Sequence, residues 1–302
     1  MKIGIIFPQA GIEADPTAVR DFAQAVESLG FTHLLVYDHV LGGDPDQYSE
    51  WLRYTHASTF HEPLTLFAFL APLTNRLEFA TGVLVLPQRQ TALVAKQAAY
   101  IDRLTHGRLR LGIGVGWNAL EYEALGESFH TRGARIEEQV AVLRLLWSQE
   151  VVTTSGRWHH VTAAGINPRP LHGQIPIWIG GAAESVLKRV GRLADGWMPE
   201  RAHFSADYAD HQHESWSAML DRVRSYAAAS GRDARSLGIE PRLEGADPHV
   251  LAAQLEEWSA LGATHAAINV QPLGAPPAST DTYISRARRI WDTANQFVSV
   301  VA

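Results

Sequence analysis

The chain contains no cysteine. That excludes a disulfide framework, a thiolate nucleophile and cysteine-based zinc sites, and it fits a cytoplasmic setting. Long apolar runs are missing as well: nothing approaches the ~20 residues of a membrane span, so no membrane partner is expected. Basic clusters are scarce, with 26 Lys and Arg against 32 Asp and Glu and a formal net charge of -6. The densest group, Arg286, Arg288 and Arg289, reads as a solvated helix face. Nucleic acid is therefore not an expected partner. The opening MKIGIIFPQ carries one charge, a very short apolar run and no small-residue cleavage site, and it reads as a first strand in place of a signal peptide.

What is present is a repeated βα rhythm. Apolar runs of strand length fall at 2–8, 33–39, 77–86, 108–116, 175–181, 195–199, 238–245 and 265–272. They are too uniformly apolar for a sheet wetted on one face, which points to parallel strands. Helices are expected near 62–73, 91–105, 183–193, 204–230, 248–261 and 283–297, with another whose stripe is Ile136, Val140, Leu143 and Trp147. Asp15-Pro16 and Asp247-Pro248 each place a capping side chain before a proline suited to the first helical position. The expected fold is a single α/β (β/α)8 TIM barrel over residues 1–302, with insertions at the βα loops. Two doubly wound halves are the alternative, but the junction they need, near 149–174, holds a hairpin (VVTTSGRWHHV) and a proline-rich connection.

Chemistry-bearing residues gather at strand ends. GIGVGWNALEYEALG (112–126) fits G-x-G-x-x-A from Gly114, with Glu137 and Glu138 roughly 20 positions on, as in a dinucleotide fingerprint. It follows the fourth strand and not the first, so it is not a Rossmann turn. Its glycines suit either backbone approach to a phosphate or a crowded barrel turn. IPIWIGGAAESVLKRVG ends the fifth strand with Gly180, Gly181 and Ala182 running into a helix, a second phosphate-type turn. YDHVLGGD places Asp38 and His39 at the end of the second strand, on the face where barrel chemistry lies. Adjacent side chains on an extended strand point to opposite faces, so only one of the pair can face the cleft. His211 with His213, and His159 with His160, form pairs whose spacing sends the members to different faces and argues against metal ligation. The long segment 41–63, rich in aromatics including Tyr48, Trp51, Tyr54 and Phe60, reads as a lid or pocket wall.

The segments VYDHVLG, FATGVLVLPQRQTALVAKQAA, LTHGRLRLGIGVGWNALEYEALG, NPRP, IPIWIGG and ADGW together resemble the bacterial luciferase-like barrels, most closely their F420-dependent oxidoreductase branch. The resemblance covers nearly the whole chain. It implies a cofactor at the C-terminal mouth, the deazaflavin F420 or alternatively FMN, a small-molecule substrate, and a homodimer. By position it assigns Val115, Gly116, Gly180, Gly181 and Ala182 to the phosphate side and Asp38, His39, Gly82, Val83 and Trp117 to cofactor contacts, with a non-proline cis bond at Gly82-Val83 beneath the ring. It makes His39 the catalytic residue. It implies three reaction types: hydride transfer with F420, oxygen activation with FMN, or flavin binding without catalysis. The chain departs from the F420-dependent glucose-6-phosphate dehydrogenases, which have a glutamate where Trp117 stands and a tryptophan in the neighbourhood of Gly42 and Gly43. An indole cannot exchange a proton at neutral pH, so Trp117 is read as shaping the pocket. Glu121 is read mainly as a capping or packing residue.

Overall fold

The computed structural model describes residues 1–48, 54–200, 214–271 and 276–298. β1 (Lys2–Ile6) leads into α1 (Pro16–Leu29), β2 (His33–Val36) into α2 (Pro63–Leu70), and β3 (Glu78–Thr81) with β4 (Leu84–Val85) into α3 (Thr91–Leu104). β5 (Leu109–Gly114) is followed by a short α4 (Ala119–Ala124), by α5 (Arg132–Ser148) and by an antiparallel hairpin, β6 (Val152–Ser155) and β7 (His160–Ala164). The chain continues through β8 (Ile177–Gly180), α6 (Glu184–Leu193), β9 (Gly196–Met198) and α7 (Trp216–Ala229). β10 (Gly238–Ile239), β11 (Arg242–Glu244), α8 (Pro248–Ala260), β12 (His265–Asn269) and α9 (Thr280–Ala294) follow.

The main sheet is parallel, in the order β10-β9-β8-β5-β3-β2-β1-β12-β11. β10 and β11 are halves of one expected strand, 238–245, broken because Pro241 has no N–H to give the ladder. Hydrogen bonds nevertheless run on both sides of the break: Glu240 N donates to Trp197 O at 3.0 Å, and Ala267 N donates to Pro241 O at 3.0 Å. The sheet thereby returns on itself as a TIM-type barrel. The expected strand 77–86 is likewise split in two, and the peptide Gly82-Val83 between the halves is cis. β3 pairs with β2 and β5, whereas β4 pairs with β5.

The capping prolines behave as expected. Asp15 accepts from Thr17 N and Ala18 N, and Asp247 from His249 N and Val250 N. Glu62-Pro63 repeats the arrangement on α2. The last helix starts at Thr280, capped by Ser279, three residues earlier than its apolar stripe indicated. Of the helix expected at 204–230, Trp216–Ala229 is seen; residues 201–213, including His211 and His213, lie outside the described residues, as does Trp51.

Inside the barrel, Ile6, Leu35, Trp178, Met198 and Ala267, each from a different strand, pack into one cluster. Toward the N-terminal ends of the strands sits a buried charge network. Arg110 makes a bidentate pair with Glu240 at 2.5 and 2.9 Å. His33 Nε2 lies 2.6 Å from the same carboxylate, and the guanidinium stacks over Trp178 at 4.3 Å from its ring centroid. The N-terminal half of the barrel is thus filled, which leaves the C-terminal mouth as the place for a site.

Candidate active site at the barrel mouth

The chain leaves β2 through Tyr37, Asp38 and His39, and the two neighbours do part. Asp38 is buried: its carboxylate accepts from Val85 N at 2.9 Å and from Arg89 at 2.6 and 3.2 Å. It clamps the rim of β2 to the segment that follows Val83. His39 turns the other way and keeps 19% of its side chain exposed. Its ring sits among Tyr54, Phe60 and Trp117, with centroids 4.2, 4.8 and 6.0 Å away.

The polar contacts of His39 come from elements distant in sequence. Nδ1 lies 2.6 Å from Tyr54 Oη and 3.4 Å from Glu121 Oε1. Glu121, on α4, is 1% exposed and accepts from Val40 N at 2.8 Å, so it also holds the backbone just past His39. Burial alone would raise its carboxyl. Hydrogen bonding and charge from His39, together with the N–H groups of Val40 and Leu41, outweigh burial and hold it below the usual carboxylate range. The Tyr54 phenol is pushed far up by burial and by the neighbouring Glu121 charge, so it remains protonated. Asn118 caps α4 through Leu120 N and donates its Nδ2 to Tyr54 Oη at 2.9 Å.

The floor is formed at the cis peptide. Val83 reaches inward between the fourth and fifth strand positions. A Cβ on Gly114 would lie 2.4 Å from one Val83 methyl, and one on Gly180 2.6 Å from the other. These glycines serve first to admit Val83, the crowded-turn reading of the motif. Gly82 is packed against Leu35, and its carbonyl accepts from Arg242, whose guanidinium also pairs with Glu200 and lies over the Tyr37 ring.

On the phosphate side, Gly116 adopts a positive φ of 63° beside Val85, and Val115 O accepts from Tyr122 at 2.7 Å. Gly181 has its N–H donated to Met198 O at 3.1 Å and its carbonyl engaged by Trp197 at 2.7 Å. Ala182 is buried. The N-terminus of α6, at Ala183, has no side-chain cap. Glu184 in its first turn is neutralised by Arg222 and Lys188.

The sequence reading missed Glu121 as a partner of His39, and with it Asn118 and Arg89. Glu121 and His39 are 82 residues apart, and only the sheet, which sets β5 one strand beyond β3 from β2, brings the segments that follow these strands together. A recognisable signal lay in the Asn-x-x-Glu spacing at the start of α4, a capping device that places Glu121 on the first turn facing the loop. Tyr54 was read as part of a lid or wall; it is buried against the site. His159 and His160 do not cooperate: His159 binds Glu138 and Thr91, His160 binds Ser155.

Comparison with known proteins places this geometry. The F420-dependent glucose-6-phosphate dehydrogenase of Segniliparus rotundus is 29% identical over 272 residues, which covers 86% of this chain and 74% of that protein. The FMNH2-dependent dimethylsulfone monooxygenase of Pseudomonas fluorescens is 29% identical over 214 residues, 70% of this chain and 53% of that protein. The crystal structure of a monooxygenase from Streptomyces bottropensis superposes with a TM-score of 0.74 at 18% identity, covering 98% of this chain and 99% of that one, a likeness of fold. The profile of the luciferase-like monooxygenases matches residues 1–243, and the chain belongs to that family of oxidoreductases and monooxygenases, with both F420- and FMN-dependent members among its relatives.

Proposed function

We propose that the protein is a two-electron oxidoreductase that uses coenzyme F420 on a small organic substrate, with His39 beside the cofactor ring. The observation that carries this reading is the pairing of an inward-facing Val83 with a partly exposed imidazole on the rim above. The residues present fit a flat, anionic cofactor. Val83 and Gly82 would support the ring, Trp117 would wall the pocket, and Val115, Gly116, Gly180 and Ala182 would lie along the phosphate arm. Because the Gly181 N–H is engaged by Met198, the donors on that side are the uncapped N–H groups of α6, where the helix dipole favours an anion. When bound, the deazaflavin supplies hydride chemistry at its ring. The chain itself supplies an imidazole that can hold or pass a proton, and aromatic walls that limit water.

The 29% identity to an FMNH2-dependent monooxygenase favours a second reading, oxygen activation on reduced FMN. The two separate in an oxygen electrode. Under the first reading, reduced FMN and the enzyme consume no oxygen beyond the free-flavin background. Oxygen uptake that rises with enzyme concentration would replace it with the second.

Trp117 also makes a negative prediction. With an indole packed on Tyr54 at 5.6 Å where the sugar-phosphate enzymes carry a glutamate, glucose 6-phosphate should give no F420 reduction above background. Ready turnover of that sugar would refute the assignment of Trp117 as a pocket wall.

A further inference from the structure

We infer that Glu121 and Tyr54, with Asn118 behind them, are positioning residues that keep the His39 proton on Nδ1 and leave Nε2 as the ring's hydrogen-bond acceptor. The geometry decides between the two tautomers. Asn118 Oδ1 accepts from Leu120 N at 3.0 Å, which fixes the amide so that Nδ2, a donor, faces Tyr54 Oη. Tyr54 then has one proton to place and two neighbours to choose from, His39 Nδ1 at 2.6 Å and Glu121 Oε1 at 3.3 Å. If the proton went to Nδ1, the phenol oxygen would face the carboxylate oxygen with no hydrogen between them. The Nδ1 lone pair, 3.4 Å from that same oxygen, would face it too. If instead Tyr54 donates to Glu121, Nδ1–H meets two acceptors and Tyr54 Oη receives two donors. In that arrangement every donor in the cluster has an acceptor, and no two lone pairs are left in contact.

The groups around the ring support the same arrangement. Tyr54, Phe60 and Trp117 pack on it, and Glu121 is the ionisable carboxylate within reach of Nδ1, since Asp38 is engaged by Arg89 and Val85. Among the described residues the ring's polar contacts all fall on Nδ1. The buried carboxylate also stabilises the imidazolium, through the same Nδ1–H, whenever Nε2 takes up a proton. Asp38, the neighbour in sequence, faces away toward Arg89 and Val85, and Glu121, from α4, is the acid beside this histidine. The link to catalysis rests on the reading of His39 proposed above, whereas the tautomer does not depend on it.

The test is two-bond 1H–15N correlation spectroscopy of the full-length protein labelled with 15N-histidine and free of cofactor, with His39 assigned by its loss in His39→Gln. Above its titration midpoint, wild-type His39 should show a protonated Nδ1 and an unprotonated Nε2. In Glu121→Gln the pattern should move toward Nε2–H. Tyr54→Phe should leave the proton on Nδ1, because the carboxylate remains. The other histidine signals report whether each variant keeps its fold. An Nε2–H pattern in the wild type would overturn the inference without any variant, as would an unchanged pattern in a folded Glu121→Gln. Failure to bind F420 would remove the proposed cofactor and leave this result standing, so the two outcomes are distinguishable.

Discussion

His39→Ala should lower turnover by roughly 10²- to 10⁴-fold, the usual worth of a positioned acid or base, while F420 affinity changes by no more than a few fold. The reasoning starts from what the ring touches. Its apolar faces meet Tyr54, Phe60 and Trp117, its Nδ1 meets Tyr54 and Glu121, and part of it stays open. Removing it leaves the floor at Val83 and the phosphate side intact, so binding should survive. His39→Gln keeps more of the bulk without the titratable group and should be as inactive as alanine. Steady-state turnover paired with cofactor titration of each variant checks this. Activity within a few fold of wild type, or a fall explained wholly by lost cofactor, would make His39 a structural or binding residue.

Glu240→Ala should lower the stability to denaturant by about 3–5 kcal/mol, because it leaves a buried guanidinium without its bidentate partner. Glu240 is fully buried and holds both Arg110 and His33 inside the barrel. Burial alone would raise its carboxyl; the Arg110 and His33 charges overcome this and hold it far below its ordinary 4.5. A depressed carboxylate stabilises the fold fully above the unfolded value and loses that contribution as pH falls below it, so wild-type stability should drop from about pH 4.5 downward. His265 works in the same sense from higher pH, since burial and the nearby Arg110 hold it at about 2. The double change Arg110→Met with Glu240→Leu removes both charges and should be more stable than Glu240→Leu alone. Urea titrations of these variants decide it, and a double variant no more stable than Glu240→Leu alone would show that the unpaired guanidinium carries no penalty inside the barrel.

The barrel was legible in the sequence because its signal is periodic: alternating apolar runs and amphipathic stripes, with Asp-Pro and glycine punctuation at helix ends. Its two breaks were not. Pro241 sits inside an apolar run, and its missing N–H matters only once both neighbouring strands are in place. The Gly82-Val83 cis bond came from family resemblance, and nothing in local composition specifies it. At the site, His39 stood out as a rim histidine, and the parting of Asp38 from it follows from strand geometry. Its actual partners did not stand out, since Tyr54 and Glu121 reach it only through tertiary packing. Gly114 and Gly180 show why a glycine motif does not decide by itself: their missing side chains make room for a valine as directly as for a phosphate. Glu27, on α1, is buried and accepts from the Asn75, Arg76 and Leu77 N–H groups ahead of β3, a contact that local sequence does not reveal.

The most direct test of the proposed cofactor is an equilibrium titration of the purified protein with F420 and with FMN, side by side in one buffer. F420 should bind more tightly by at least the tenfold that about 1.4 kcal/mol represents. Tighter binding of FMN, or equal binding of both, would contradict the assignment of this barrel mouth to the deazaflavin.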